Sequence, residues 1–267
     1  MPPPNRNVKD LFDLTDRVAI VTGGGTHLGT AFAEALGEAG AAVYIASRRG
    51  KLCEEVAAKL RDERGINVTG AQCDATDEAQ VRGLVERVVS DRGRLDVMVC
   101  NAGGHRTTTY PPHGKLDEFR AAFEINLVST YVCAQEAAKA MIPRRHGRII
   151  TLGSIASNLT TDPRIYNETF QRSGPPYIAA KGGVWLLTRA LAGEFGRHGI
   201  TVNCISPGQI PKDETNAAQV EKFRQMNALG VTGLAEDLKG ACLLLASDAG
   251  KWITGQQIIV DGGWSIW

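Results

Sequence analysis

The sequence has no long apolar run and no excess of charge of one sign. Its longest apolar stretch, residues 241–246, is far shorter than the ~18–20 residues that cross a bilayer. Lysine and arginine number 30 against 29 acidic residues, whereas proteins that neutralise nucleic-acid phosphates need clustered positive charge. The N-terminal MPPPNRN has no apolar core, so we expect neither a secretory signal nor an anchor there. The sequence therefore predicts neither a membrane partner nor a nucleic-acid partner.

Closely spaced cysteines are also missing. None of the six forms a C-x-x-C pair, which a metal knuckle or a redox dithiol would need. No histidine is spaced with a second metal ligand. We therefore expect no metal site and no disulfide framework, and we expect reduced thiols in the cytoplasm. The cysteines are at positions 53, 73, 100, 133, 204 and 242.

Short apolar runs alternate with longer segments of helical period. The runs are continuous and rich in Val and Ile, as strands are when helices cover both faces of a parallel sheet. This order predicts an α/β, doubly wound Rossmann fold with a seven-stranded, mainly parallel sheet and helices on both faces. The predicted strands are residues 17–22, 41–47, 67–73, 95–100, 148–152, 201–205 and 257–260.

The predicted helices are residues 28–38, 51–64, 78–91, 116–141 and 177–197. No change of composition marks a second domain, so we expect a flexible N-terminal tail over 1–14 and a single dinucleotide-binding and catalytic domain over 15–267. Two polar segments, 158–176 and 211–230, interrupt the alternation after predicted strands, and we expect the second to be partly helical. Long excursions in a compact α/β domain are usually functional lids or disordered loops.

A glycine-rich turn, residues 22–29, joins the first strand to a helix. Glycine lets the backbone turn sharply and approach a ligand, and the free N–H groups at a helix start favour an anion. Strand, turn and helix in this order predict a pyrophosphate site, with a tight turn without ligand as the alternative. The predicted contacts are Gly23, Gly25, Thr26, His27, Leu28 and Gly29.

The end of the second strand bears on the choice of dinucleotide. An acidic residue there would accept hydrogen bonds from a ribose 2′-OH, but the sequence has Ser47 and Arg48 instead. A guanidinium suits a phosphate. We therefore expect NADP(H), with NAD(H) as the alternative if Arg48 is only a solvated side chain. The small residues Asn101, Ala102 and Gly103 end the fourth strand and leave room for a flat ring.

An acid–base centre is predicted at the start of a later helix. Tyr177 and Lys181 are four residues apart, so they share one helix face. A nearby ammonium stabilises phenolate, so we expect Lys181 to lower the pKa of Tyr177 from its usual ~10. Ser154 follows the preceding strand and would place a hydroxyl near this pair.

Taken together, the motifs resemble the short-chain dehydrogenase/reductase family, in its compact single-domain branch. The resemblance runs from about Asp16 to Trp267. It includes the 22–29 turn, Asp74, Asn101-Ala102-Gly103, Asn126, Ser154, Tyr177-x-x-x-Lys181, Pro207-Gly208 and the Val-Asp-Gly-Gly of 260–263.

The resemblance implies a catalytic tetrad in which Tyr177 passes a proton to or from the substrate oxygen. Ser154 would hold that oxygen, Lys181 would bind the nicotinamide ribose, and Asn126 would hold a water of the proton relay. The implied cofactor contacts also include Asp74, with Ala75 beside it, at the adenine, and Pro207, Gly208 and Ile210 at the carboxamide. Family members commonly form tetramers, so a homotetramer is implied, with the C-terminal tryptophans at a subunit contact or packed on their own chain.

Three features depart from the family pattern. His27 stands where the family has glycine, and we expect it either to contact phosphate or to crowd the turn. Ser154 and Tyr177 are 23 positions apart, farther than the family pattern, because of segment 158–176. That segment either walls the substrate pocket, through Tyr166, Phe170 and Arg172, or covers a neighbouring subunit. The family's Thr soon after Pro207-Gly208 is missing.

The sequence thus predicts an oxidoreductase that interconverts a ketone and a secondary alcohol with NADP(H). An NAD-dependent sugar or polyol dehydrogenase of the same family is the alternative. A dinucleotide-sensing protein without turnover is a rival from another class. The acid–base residues argue against the sensor, which has no need of them.

Overall fold

The computed structural model describes residues 6–104, 108–161 and 172–267. Within this part of the chain, seven strands form one sheet in the order β3-β2-β1-β4-β5-β6-β7, and every pairing is parallel. The strands are β1 (Val18–Thr22), β2 (Ala42–Ser47), β3 (Val68–Gln72), β4 (Val97–Cys100), β5 (Gly147–Leu152), β6 (Ile200–Pro207) and β7 (Gln257–Val260). The predicted Rossmann fold is confirmed, and the predicted strands are displaced by at most two residues at either end.

Helices flank the sheet. Their bounds are α1 (Val8–Phe12), α2 (Leu28–Glu38), α3 (Gly50–Arg64), α4 (Glu78–Arg92), α5 (Leu116–Phe123), α6 (Ser129–Met141), α7 (Pro175–Gly196), α8 (Ala217–Met226) and α9 (Lys239–Ala246). In the described residues, none of these helices is long and apolar enough to span a membrane.

The core forms two apolar layers, one on each face of the sheet. One layer contains side chains of α4, α6 and α7, and the other contains side chains of α2, α3 and α9. The central strands β1, β4 and β6 are buried along their whole length. Continuous Val- and Ile-rich strands are therefore required, because both faces of the sheet are covered.

The topology fixes where a ligand can bind. From β1 the chain runs outward through β2 and β3, then returns to the other side of β1 to form β4. This reversal of direction opens a crevice at the carboxyl ends of the strands, which is where ligands bind in open α/β sheets.

One predicted element differs from the structure. The single helix predicted over 116–141 is interrupted by a π-helical turn, Glu124–Val128, between α5 and α6. The polar segment 211–230 contains α8, which Asn216 caps by accepting a hydrogen bond from the N–H of Ala218. The predicted tail, 1–14, includes α1, and Leu14 is buried in the core. The division into a tail and a single domain stays a prediction.

The predicted aromatic C-terminus packs partly on its own chain. The ring of Trp264 meets that of Phe223 edge-on at 6.0 Å between centroids, while Trp267 is exposed. All six cysteines are buried and free. In the described part of the chain, no three His, Cys, Asp or Glu side chains are grouped so that they could hold a metal ion.

Candidate active site

A cavity of about 1000 Å³ lies at the carboxyl edge of the sheet. Every predicted catalytic or cofactor-binding residue except Asn126 lines it. These lining residues are Gly23, Gly25, Thr26, His27, Leu28, Gly29, Ser47, Arg48, Asp74, Ala75, Asn101, Ala102, Gly103, Ser154, Tyr177, Lys181, Pro207, Gly208 and Ile210. The fold therefore places the glycine-rich turn and the predicted acid–base residues around the same cavity.

The glycine-rich turn is built around two close approaches. Gly23 has φ +66°, and a side chain there would lie 2.8 Å from the Asn101 amide. A Cβ on Gly29 would collide with the Gly23 carbonyl oxygen. Among the described residues, nothing accepts the backbone N–H groups of Gly25, Thr26 or His27. These unpaired donors at the start of α2 suit a phosphate.

Asn101, at the end of β4, is hydrogen-bonded to this turn. Its side-chain amide donates to the carbonyl oxygens of Thr22 (2.9 Å) and Gly23 (3.1 Å). The Thr22 hydroxyl in turn accepts the backbone N–H groups of Asn101 and Ala102. Asn101 thus shapes the cavity wall by holding the turn against the end of β4.

His27 adopts the uncommon φ of +48° just before α2. Its imidazole lies close enough to the backbone of Pro211, in the segment that follows β6, for that backbone to act on the pKa of the ring. Burial lowers the pKa of His27 below 6.5, chiefly by desolvation, so the ring is neutral near pH 7. The sequence predicts a phosphate contact for this ring, and the structure adds a link between two walls of the cavity.

Two arginines follow β2 at one end of the cavity. Arg48 and Arg49 both line it and make no hydrogen bond or ion pair through their side chains with any described residue. The Ser47 hydroxyl accepts the N–H of Arg49 (3.2 Å) and also contacts Cys53. The sequence pattern indicates Arg48 but not Arg49, although the two are adjacent.

Asp74 follows β3 at the same end. Its carboxylate accepts the backbone N–H (3.0 Å) and the hydroxyl (2.8 Å) of Thr76 through one oxygen, Oδ1. These bonds fix the turn before α4 and orient the carboxylate at the rim.

Tyr177 lies in the first turn of α7, and its phenol hydrogen-bonds the Ser154 hydroxyl. Ser154 is itself fixed, because its Oγ accepts the N–H of Ala156 (3.1 Å) and its own N–H donates to Ser157 (3.3 Å). Burial raises the pKa of Tyr177 above 10, and the Ser154 bond opposes this rise. This direction is opposite to the lowering predicted from Lys181, since desolvation outweighs the Ser154 hydrogen bond.

Lys181 is buried one helical turn after Tyr177. Its ammonium donates to the Leu152 carbonyl (2.7 Å) and lies 5.7 Å from the centre of the Tyr177 ring. Burial lowers the pKa of Lys181 to about 8. The buried ammonium therefore releases its proton far more readily than an exposed lysine does.

Asn126 lies behind this group, in the π-helical turn, and is fully buried. Its side chain accepts the N–H of Gly104 (3.0 Å) and donates to the carbonyls of Gly104 (3.0 Å) and Ala122 (2.9 Å). A Cβ on Gly103 would come within 2.7 Å of the Asn126 Oδ1 and 3.6 Å of the Lys181 ammonium. Asn126 thus positions the loop after β4 beside Lys181 without lining the cavity.

The segment predicted as a substrate-pocket wall is described only at its ends. Tyr166 and Phe170 lie outside the described residues. The Arg172 guanidinium lies 4.5 Å from the centre of the Tyr110 ring, and the Tyr110 hydroxyl donates to the Arg172 carbonyl (2.8 Å). Arg172 therefore links this segment to the loop after β4.

Lys212 and Glu124 also line the cavity, and the sequence motifs do not predict them. Lys212 occurs in a polar segment with weak periodicity, and nothing in its neighbours indicates a site. The signal that could have found Glu124 is its position two residues before Asn126, on the same helical segment.

The residues present fit a dinucleotide. Unpaired N–H groups at the start of α2 suit its diphosphate, and the small residues Ala102 and Gly103 leave room for a ring at the end of β4. The hydrogen-bonded Ser154–Tyr177 pair opens into the same cavity. The cavity can therefore place a carbonyl or hydroxyl group between these hydroxyls and a bound ring.

Comparisons with known proteins agree with a site for a dinucleotide and a carbonyl or hydroxyl group. Residues 25–265 match a family model described as enoyl-(acyl carrier protein) reductase. (+)-Borneol dehydrogenase 1 of Salvia officinalis is 34% identical over 264 residues, which cover 95% of each chain. A short-chain type dehydrogenase/reductase from Mycobacterium marinum has a TM-score of 0.89 at 33% identity, with 97% of this chain and 99% of that one covered. A gluconate 5-dehydrogenase from Burkholderia cenocepacia, in complex with NADP and tartrate, has a TM-score of 0.88 at 32% identity, with 98% and 100% covered.

Fold, cavity and these similarities define the class as nicotinamide dinucleotide-dependent oxidoreductases that act on CH–OH and C=O groups. The chain belongs to the short-chain dehydrogenase/reductase family. This membership confirms the resemblance drawn from the sequence motifs.

Proposed function

We propose that the chain interconverts a ketone and a secondary alcohol with NADP(H), and that Tyr177 is the general acid/base. The observation that carries this proposal is the hydrogen-bonded pair of Ser154 and Tyr177, which opens into the cavity lined by the glycine-rich turn. A bound dinucleotide supplies or accepts the hydride. The residues of the chain handle the proton and the position of the substrate.

The roles of the residues follow from their contacts. Tyr177 donates its proton to a carbonyl oxygen in the reductive direction, or accepts the alcohol proton in the oxidative one. Ser154 holds the same oxygen, because its hydroxyl is already fixed beside the phenol. Lys181 offers an ammonium with a pKa of about 8 next to the Tyr177 ring, which stabilises the phenolate when it forms. Asn126 supports this group by holding the Gly104 backbone.

Two arginines whose side chains have no partner among the described residues support NADP(H) over NAD(H). Arg48 and Arg49 line the cavity where the chain leaves β2, and no carboxylate stands at that strand end. A 2′-phosphate there would gain charge-assisted hydrogen bonds, whereas a ribose hydroxyl would not require two guanidinium groups. The NADP in the complex of the gluconate 5-dehydrogenase relative is consistent with this preference. NAD(H) remains the alternative cofactor.

The direct test is an absorbance assay at 340 nm with NADPH and a panel of ketones, repeated with NADH. We expect oxidation of NADPH with at least one ketone, and a lower Kd for NADPH than for NADH in fluorescence titrations. Replacing Arg48 and Arg49 together with Ala should remove this difference in Kd. Equal affinity of the wild type for both dinucleotides would contradict the NADP(H) assignment.

A sugar or polyol substrate is the second candidate. The gluconate dehydrogenase relative supports it, and so does the polar composition of segment 158–176. Oxidation of polyols or sugar acids with NAD⁺ in the same assay, without ketone reduction by NADPH, would favour this candidate. Tight dinucleotide binding without turnover of any substrate would favour the sensor.

Exposed apolar side chains support assembly into a homotetramer. Leu116 begins α5, Tyr131 lies on α6 and Leu186 lies on α7, and all three are exposed in the single chain. Exposed apolar residues on neighbouring helices suit a subunit interface. Light scattering coupled to gel filtration tests the tetramer, and a monomeric mass would contradict it.

The cysteines support a location for the protein. The six buried free thiols fit a reducing compartment, for which we propose the cytoplasm.

A further inference from the structure

One lysine of the cavity has no role in the reaction proposed above. Lys212 lies in the segment after β6 and lines the cavity together with His27. Its ammonium is 3.9 Å from the Glu214 carboxylate, and 61% of its side chain is exposed. An exposed pair at this distance contributes little to stability, so the ammonium can leave Glu214 at small cost.

The backbone of Lys212 is held beside the glycine-rich turn. The His27 imidazole lies beside the backbone of Pro211, the residue before Lys212, and both Pro211 and the Lys212 charge act on the pKa of the ring. The Lys212 N–H donates to the Thr215 hydroxyl (3.0 Å), and the Thr215 N–H donates back to the Lys212 carbonyl (2.9 Å). The main chain is thus fixed at this position, while the side chain remains free to reorient.

The charges of the cavity indicate what this side chain can bind. The glycine-rich turn presents unpaired N–H groups, and its ionisable side chain, His27, is neutral near pH 7. Among the lining residues, Arg48 and Arg49 follow β2, and Lys181 is buried against the Leu152 carbonyl. Lys212 is the remaining lining ammonium, and the His27 link brings its backbone to the turn. A diphosphate on the turn carries two negative charges, which the N–H groups alone do not neutralise.

We propose that Lys212 binds the diphosphate of the dinucleotide, leaving Glu214 to do so, and that His27 is the positioning residue that holds it there. This inference rests on the proposed function, because it needs a dinucleotide on the glycine-rich turn. The inference gives a reason for histidine at position 27, where the family has glycine. The turn loses the flexibility of glycine, and the imidazole instead connects the turn to the loop that carries the Lys212 ammonium.

The test measures dinucleotide affinity in Lys212→Met and in the matched control Lys59→Met. Lys59 is likewise exposed and loosely paired with a glutamate, at 4.0 Å from Glu63, but lies outside the cavity lining. We expect Lys212→Met to raise the Kd for NADPH by about tenfold, as loss of a charge-assisted hydrogen bond does. Lys59→Met should leave it unchanged, and Lys212→Arg should retain most of the affinity.

Competing ligands identify which phosphate is bound. ADP-ribose contains the diphosphate, whereas 2′-AMP carries a single phosphate on the ribose 2′ position. We expect Lys212→Met to weaken competition by ADP-ribose and to leave competition by 2′-AMP as in the wild type. A loss with 2′-AMP alone would overturn the diphosphate assignment.

A double-mutant cycle tests the role of His27. His27→Gly removes the imidazole and relieves the positive φ, so we expect the fold to survive. It should raise the Kd for NADPH in the wild-type background and have little effect in Lys212→Met. Equal losses in both backgrounds would show a role independent of Lys212 and overturn the positioning role.

The failure of this inference differs from the failure of the proposed function. If Lys212→Met binds NADPH as tightly as Lys59→Met while the wild type reduces a ketone, Lys212 is not a phosphate ligand and the function stands. If the wild type binds no dinucleotide, both proposals are wrong.

Discussion

At the scale of single residues, some glycines are required because no side chain fits at their position, whereas others could carry a side chain. Gly29, at the glycine-rich turn, is of the first kind. The Cβ position of Gly29 overlaps the Gly23 carbonyl oxygen, because α2 begins against the turn that precedes it. Gly83, on α4, has nothing within 4 Å of its Cβ position. Both glycines are helical, so they form a matched pair.

We therefore expect opposite effects from two alanine substitutions. Gly29→Ala should lower the free energy of unfolding by about 1–3 kcal/mol through overpacking and should weaken NADPH binding, because the turn must open. Gly83→Ala should raise the free energy of unfolding by about 1 kcal/mol, as alanine does in a helix interior. Urea denaturation and NADPH titration check both. Wild-type stability and affinity in Gly29→Ala would show that the turn tolerates a side chain.

At the element scale, the π-helical turn between α5 and α6 carries Asn126 to the loop after β4. The three hydrogen bonds of its side chain all end on backbone groups, two of them on Gly104. The π-helical turn thus connects the helical segment to the loop that borders Lys181, through the hydrogen bonds of Asn126 to Gly104.

Asn126→Ala should leave these buried backbone groups without partners. We expect a loss of roughly 2 kcal/mol in the free energy of unfolding, the scale of an unsatisfied buried polar group. The control is Asn158→Ala, since Asn158 makes one exposed side-chain hydrogen bond, to Gln257 at 2.8 Å; its loss should stay within about 0.5 kcal/mol. Thermal or urea unfolding measures both, and equal losses in the two variants would contradict the buried role of Asn126.

The same elements show what the sequence can predict. Strand positions follow from apolar runs such as residues 18–21 of β1, because burial on both faces demands them. The π turn does not follow, since residues 116–141 keep a helical period throughout and the bonds between Asn126 and Gly104 join positions far apart in the chain. The link between His27 and Pro211 joins positions far apart in the chain, so no local pattern indicates it. For the same reason, no sequence pattern indicates Lys212.

At the scale of the whole molecule, a charge cluster lies at the opposite end of the sheet from the cavity. Asp96, before β4, receives two hydrogen bonds of 2.6 Å from Arg94 and one from the Val18 N–H. His146, before β5, accepts a hydrogen bond from Arg17 (3.0 Å) through Nε2. These contacts join the strands where they begin, away from the proposed chemistry.

The cluster makes stability depend on pH. Burial, reinforced by Arg148 and Arg17, lowers the pKa of His146 from 6.5 to about 4. As the pH falls, His146 takes up a proton near pH 6.5 in the unfolded chain but only near pH 4 in the folded chain. The free energy of unfolding therefore decreases as the pH falls from 6.5 to 4. The shift corresponds to about 3 kcal/mol.

His146→Gln should remove that part of the decline. Urea denaturation of wild type and variant between pH 7 and pH 4 measures it, with the wild type losing more stability than the variant over this range. Parallel curves for the two proteins would contradict the low pKa of His146.

The central claim is that Tyr177 passes the proton while the dinucleotide is held elsewhere in the cavity. The most direct measurement compares turnover and NADPH affinity in wild type and Tyr177→Phe, which differ by one hydroxyl. We predict a fall in kcat of about 10²- to 10⁴-fold, the range of general acid–base catalysis, with NADPH still bound. Wild-type turnover in Tyr177→Phe would contradict the account.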